Sequence, residues 1–499
     1  MDTQPLQSER LRTWLLALGV FAVVIFFFSP AWSAFDLWSR VPEMGFQVEV
    51  RRGGSVLEQV AHPGAPITDS LHAAIQWRLV FPLIGKILNL PSTLLFSLAH
   101  VGCLLVLGFI ITHLRRAHFS WADTTLATLT LGAASWFFTS TGWLGYYDSW
   151  LAFALLIVAF AENRRALWAA CIWAPWVDER FALAAPLALF CRYLHVQPAR
   201  SPDSPAPFHR RNEIVIPSLL IGGFLLVRLG LLPSHSNSGA TVGGYFSGKN
   251  FLDAPLPRIA LGIWDGLRSA WWFVLLAVLA LRPQPSRALA LALATLALLI
   301  AGLATAQDYS RSMTMLLPVA LLGLLLAARH PSRSFPVALA LAALAAVLLP
   351  AHHVMNDRVD PIYYLHHELA AFENPSRAAM PELYELRAIH AMEHNEFPSA
   401  ENYLTLAIKL SPNPTSPARQ RGILRASQQR WAEAAEDFAL LAKNEPQNPD
   451  AWFMQAQAHF ALGNRTAAQT DLARARSLAP PEWTSRPDVA RFIAKINAP

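Results

Sequence analysis

The chain has 499 residues, 54% hydrophobic and 15% charged, a balance that excludes a single soluble domain and fits a polytopic membrane part with a soluble appendage. A formal charge of +6 raises nucleic acid as a partner, but the arginines stand in small clusters beside apolar runs, as cytoplasmic loops do, and nucleic acid is set aside. Cys103, Cys171 and Cys191 all fall in apolar runs without CxxC spacing, so neither a disulfide framework nor a thiolate metal site is implied.

The first apolar run, Leu11 to Ser29, follows Arg10 and Arg12. Ala31-Trp32-Ser33 loosely matches a small-x-small cleavage site, so a signal peptide is the alternative to a first span; either way residue 32 begins outside the cytoplasm. A long outer loop, 32 to 91, follows, and its stretch Trp77 to Leu90, interrupted by Pro82 and Lys86, reads as an amphipathic or re-entrant helix. Further apolar runs at 92–114, 121–141, 147–161, 166–177, 181–194, 214–232, 259–281, 288–304, 313–328 and 335–350 bring the candidate spans to eleven.

With the N-terminus inside, the cytoplasmic connections collect Arg10, Arg12, Arg115, Arg116, Arg164, Arg165, Arg192, Arg200, Arg210, Arg211, Arg282, Arg287, Arg329 and Arg333. The opposite short loops hold only Arg180, Lys249, Arg258 and Arg311. That bias predicts a cytoplasmic N-terminus and, after an odd number of spans, an extracytoplasmic C-terminal region. The proline-rich loop 196–213 is expected to be cytoplasmic, and Gly243, Gly244 and Gly248 suit a flexible outer lid, not a phosphate-binding loop, because no strand precedes them.

Asp178, Glu179 and Arg180 separate two runs, 166–177 and 181–194, each too short to cross a hydrocarbon core of ~30 Å at ~1.5 Å per residue. The tripeptide is therefore expected below the membrane surface, where charge is costly and reads as functional. The opposing reading is an ion-paired turn whose charges neutralise one another. On the same outer side fall Asp36, Glu43, Glu49, Asp69, His72 and Arg78 of the first loop, Asp148 at the start of the fourth span, Asp265 and Arg268 at the eighth, and Asp308 and Arg311 at the ninth. Arg228 lies within the seventh span toward that side.

The apolar runs stop after Pro350; residues 1–353 form the membrane domain, and 354–380 read as a linker with a short helix. From about 381 to 499 the chain repeats with a period of 34. Ala400, Ala434 and Ala468 share one phase, Pro412, Pro446 and Pro480 a second, Tyr384, Ala418 and Trp452 a third, and Ala388, Gly422 and Ala456 a fourth. The unit Trp452, Ala456, Gly463, Ala468, Leu472, Ala475, Pro480 resembles the tetratricopeptide repeat, with small residues where paired helices touch. Arg486 to Ile496 reads as a capping helix. The resemblance implies a groove that binds a protein or peptide partner; docking on the membrane domain or dimerisation is the alternative. His390, Glu393 and His394 lack the order of a zinc-protease motif, and His352, His353, His366 and His367 read as interfacial or surface groups.

The fold class expected is thus all-α, a transmembrane bundle followed by an α-solenoid. A long acidic first outer loop, about eleven spans and an outer soluble C-terminal domain together resemble the GT-C class of polyprenyl-phosphate-sugar-dependent glycosyltransferases. That resemblance implies a lipid-linked sugar donor and a carboxylate base, Asp36 or Asp69. Asp36 lacks the adjacent acid usual in the class, which makes Asp69, in Asp69-Ser70-Leu71-His72, the substitute. Arg180, Arg228 and Arg311 would hold phosphate, Asp178 or Glu179 would orient the acceptor or a divalent metal ion, and His72, Arg78, Asp148 and Asp308 would support them. Two alternatives stand beside it: a non-enzymatic membrane-anchored repeat scaffold, and a polysaccharide polymerase or ligase.

Overall fold

The computed structural model describes residues 4–28, 48–66, 75–196, 211–232, 254–329, 333–356, 359–362, 379–393, 395–411 and 413–497. The described residues up to Ile362 form one compact unit, and residues 379–497 a second.

The first unit is almost wholly helical. In chain order it contains α1 (Gln4–Phe27), α2 (Val48–Ala61), α3 (Val80–Ile87), α4 (Ser92–Arg116), α5 (Trp121–Gly132), α6 (Ser135–Gly142), α7 (Asp148–Phe160), α8 (Arg164–Trp173) and α9 (Arg180–Val196). Then come α10 (Ile216–Leu225), flanked by π-helical turns Arg211–Val215 and Leu226–Leu231, followed by α11 (Leu256–Leu267), α12 (Trp271–Ala280), α13 (Pro285–Thr305), α14 (Tyr309–Ser312), α15 (Leu317–Ala327) and α16 (Phe335–Leu348). Within 77–90, where an amphipathic or re-entrant helix is expected, lies the eight-residue helix α3.

Among the described residues, six of the eleven expected spans correspond to helices long and apolar enough to cross a bilayer: Ser8–Phe27, Ser92–Arg116, Asn212–Leu231, Leu256–Ala280, Pro285–Thr305 and Tyr309–Ala327. Asp148–Phe160 and Phe335–Leu348 are apolar but shorter. The count falls because an apolar run does not guarantee an unbroken helix. The run 121–141 divides at Ala133 and Ala134, where Ala134 turns extended (φ −127°, ψ 166°) and the Trp136 indole donates to Leu131 O at 2.9 Å. The run 166–177 ends in a 3-10 turn, Ala174–Trp176, and α9 carries Pro186 in its interior.

The packing is closest between α12 and α15. A Cβ added at Gly323 would lie 1.9 Å from Phe273 O, so the two backbones touch there through a residue without a side chain. Arg268, between α11 and α12, is fully buried with φ +52°, a conformation strained for any residue but glycine. Its guanidinium holds it in place by donating to Ala346 O (2.9 Å), Leu349 O (2.5 Å) and Pro350 O (2.8 Å), carbonyls left open at the C-terminal end of α16.

After α16 the described residues turn to strand. Ala351–Val354 (β1) and Val359–Ile362 (β2) pair antiparallel, Ala351 opposite Ile362 and Val354 opposite Val359. The expectation of a linker with a short helix over 354–380 is corrected at its start: β1 is held by Val354 N donating to Ser310 Oγ at 3.0 Å and by the bridge of Asp308 with Met355. His353, expected at a surface, is buried against Asp308 and Trp143 instead.

The second unit stacks three helix pairs, α17 (Ala379–Glu393) with α18 (Phe397–Leu410), α19 (Thr415–Ser427) with α20 (Trp431–Asn444), and α21 (Pro449–Ala461) with α22 (Arg465–Leu478), followed by α23 (Pro487–Asn497). Ala400, Ala434 and Ala468, the common phase of the repeat, are each fully buried. Asn448 and Asn464 cap α21 and α22 by accepting from Asp450 N and Ala467 N. Phe492 of α23 packs edge-on to Phe453 at 5.4 Å and closes the end of the stack. Gly422 needs its missing side chain, because a Cβ there would stand 2.5 Å from Phe438 Cε1. Gly422→Val is expected to cost the repeat unit about 2 kcal/mol, or about 10 °C in its melting temperature by circular dichroism. An unchanged melt would show that the α19–α20 contact is loose.

Candidate functional site

Four stretches of the first unit bring charged side chains together. Asp148 opens α7, Asp178 and Glu179 form the turn before α9, and Arg180 begins α9. Asp308 and Arg311 flank and belong to α14, and Arg78 precedes α3.

Arg180 is the hub. Its backbone N and Nε donate to Asp178 Oδ1 at 3.0 and 2.9 Å, and its Nη2 bonds Asp178 Oδ2 at 2.7 Å and Asp148 Oδ1 at 2.5 Å. Arg311 reaches Asp148 through Nε at 2.8 and 3.0 Å, Asp308 through Nη1 at 2.9 Å, and Asp178 through Nη2 at 3.5 Å. Arg78 holds Glu179 bidentately at 2.7 and 2.8 Å and sends Nη1 to Asp178 Oδ2 at 2.8 Å. The Asp148 side chain is 0% exposed and that of Glu179 36%, so the network runs from a closed interior to a rim.

Two participants, Arg52 and Tyr146, were not singled out in the sequence, and a third, His353, was read there as an interfacial or surface group. Arg52, on α2, donates Nε to Gly145 O at 3.0 Å, and Tyr146 lies between two cations, its ring 4.4 Å from both the Arg52 and Arg311 guanidinium carbons. His353 Nε2 stands 3.4 Å from Asp308 Oδ1. Arg51-Arg52, a basic pair in a loop otherwise read as outside, was the available signal for the first. Among the described residues Arg52 has no carboxylate partner. Burial and the neighbouring Arg78 and Arg311 charges push its pKa down to about 10, so it remains a cation at neutral pH and one whose charge is poorly compensated.

Not every expected residue joins. Arg228 sits in the π-helical turn with Nη1 donating to Leu232 O at 2.9 Å and lies within electrostatic reach of Glu179 and Arg78, while the four carboxylates take the guanidinium bonds described above from Arg78, Arg180 and Arg311. Asp265 pairs with His352 Nδ1 at 2.8 Å. Asp36, Glu43, Asp69, His72, the glycines at 243, 244 and 248, and His366, His367 and His394 lie outside the described residues, as do the side chains of Glu49 and His390. Among the described residues no group of three or more His, Cys, Asp or Glu side chains is placed to hold a metal ion. The adjoining cavity, lined by Arg52, Gln59, Arg78 and Asp178 among others, measures about 10 Å³, room for one water molecule.

Residues 386–459 match the tetratricopeptide repeat family, whose members generally mediate protein–protein interaction. No curated protein and no solved structure matches the chain. The transferase resemblance of the helical bundle thus has no support from these comparisons, and its case rests on the geometry of the ionic cluster.

Proposed function

We propose that the protein is an integral membrane protein with a cytoplasmic N-terminus and an extracytoplasmic repeat unit, and that the ionic cluster is the donor-phosphate site of a GT-C-like glycosyltransferase. The membrane would be a bacterial inner membrane. Asp148, Asp178 and Arg180 stand at one end of α7, the α8 segment and α9, and Phe160, Arg164 and Arg192 at the other. At 13 residues α7 rises only ~20 Å, which sinks charge below the surface of a ~30 Å hydrocarbon core.

The observation that carries the transferase reading is the convergence of three guanidinium groups on four carboxylates, one of them the partly exposed Glu179, with a fourth guanidinium, Arg52, beside them. A donor phosphate, itself a bidentate acceptor, can replace Glu179 on Arg78 and satisfy Arg52 as well. Glu179, released, takes the proton of an acceptor hydroxyl as that oxygen attacks the anomeric carbon. The bond from that carbon to the lipid phosphate breaks, and the departing phosphate stays on Arg78 and Arg52. Asp148 and Asp178, enclosed by arginines, set the position of those cations. The repeat unit would recruit the acceptor or a partner protein.

A second reading, a membrane-anchored scaffold without catalysis, is favoured by the saturation of the carboxylates and the small adjoining cavity. The two separate on Glu179→Gln and Arg52→Gln, assayed for envelope glycan products and protein level together. The transferase reading expects normal abundance and transfer reduced about 100-fold or more. Wild-type products in both variants would leave only the scaffold.

A further inference from the structure

At the end of α7 and α9 remote from the ionic cluster lies a second feature, a cavity of about 1190 Å³. Its walls are the last turn of α4, the turn between α7 and α8, the start of α8, the ends of α9 and α15, and Glu213. Five arginines line it against two glutamates. The glutamates are already engaged: Glu213 by Arg192 Nε at 2.9 Å and Arg164 Nη2 at 3.4 Å, and Glu162 by Arg116 at 2.9 Å. Arg192 is itself anchored, donating to Ala161 O at 2.7 Å, so it forms part of a fixed floor.

Two guanidinium groups remain over. Arg165 and Arg329 have no carboxylate partner among the described residues, although Arg329 donates to His195 O at 3.1 Å. His195 Nδ1 is buried at the cavity without a hydrogen-bond partner among the described residues. Trp168 and Leu325 add apolar wall. Excess cations, an unused imidazole nitrogen and an apolar side, in a space large enough for a small organic anion, match the chemistry of a phosphate ester.

We infer that this cavity is a binding site for a phosphate- or diphosphate-bearing anion, distinct from the ionic cluster and independent of whether the protein is a transferase. Arg165 and Arg329 supply the charge at its mouth, and His195 a hydrogen bond deeper in. The anion can arrive as a soluble phosphate compound or as the headgroup of an anionic lipid.

The test uses the full chain in nanodiscs of zwitterionic lipid. Inorganic pyrophosphate is titrated in one arm and phosphatidylglycerol is doped into the bilayer in the other, with thermal midpoint and equilibrium binding of labelled pyrophosphate as readouts. Saturable stabilisation by pyrophosphate identifies the soluble source, and stabilisation by phosphatidylglycerol alone identifies the lipid. In either case Arg165→Gln/Arg329→Gln, both exposed and removable without opening the floor, is expected to weaken the effect about tenfold or more, and Arg282→Gln/Arg333→Gln to leave it unchanged. No stabilisation in either arm, or equal loss in the two double variants, overturns the site and reduces the cavity to general basic surface.

Discussion

Asp148→Asn is expected to destabilise the helical bundle by about 3–5 kcal/mol, the usual consequence of removing one partner from a buried ion pair. The asparagine keeps the shape but leaves Arg180 and Arg311 sharing Asp178 and Asp308, with the surplus positive charge enclosed. Arg311→Gln alone should cost a similar amount, because Asp148 then retains only the bond from Arg180. The double variant is the informative one. It removes one charge of each sign and keeps the remaining three arginines and three carboxylates in balance, so its loss should fall well short of the sum of the singles. A double-mutant cycle on thermal unfolding in detergent reads this directly, and strict additivity would mean that the charges are not coupled as their distances require.

Gly323→Ala should cost about 3 kcal/mol. The added methyl would sit 1.9 Å from a main-chain oxygen, Phe273 O, and 2.9 Å from Ala277 N, and backbone cannot rotate aside as a side chain can. Helices α12 and α15 must separate, and α15 continues directly from the segment that carries Arg311, so the ionic cluster should loosen with it. Gly222 and Gly223 provide the contrast: nothing lies within 4 Å of a Cβ at either, and alanine there should be neutral or stabilising by about 1 kcal/mol through helix propensity. Size-exclusion profiles after a heating series rank the three variants, and equal survival would mean that α12 and α15 have room between them.

The ionic cluster was legible in part because its members break strong local patterns. Asp178, Glu179 and Arg180 interrupt apolar sequence, Asp148 opens an apolar run, and Asp308 and Arg311 close a loop between two. Tyr146 and His353 stand in segments where nothing local distinguishes them, and Arg52 is marked only by the basic pair Arg51-Arg52. Their importance comes from contacts such as Arg52 with Gly145, 93 residues away, which no window along the chain can register. The eleven spans were over-read for a related reason. Hydropathy sums side chains and is blind to backbone geometry, so it did not see α5 stop at Gly132 or the segment after Trp173 tighten into a 3-10 turn. The hairpin of β1 and β2 was missed because four-residue strands, one containing Pro361, have too little pattern to detect and exist by docking on α14.

Taken alone, the order of residues determined that this protein would pair an apolar helical part with a helical repeat, because burial of apolar side chains and a period of 34 both act through near neighbours along the chain. Which acid meets which arginine was settled only by the tertiary structure. Asp148 and Arg311 are 163 positions apart, and a charge pair at that separation is chosen by where helix packing, such as the contact at Gly323, brings the two backbones.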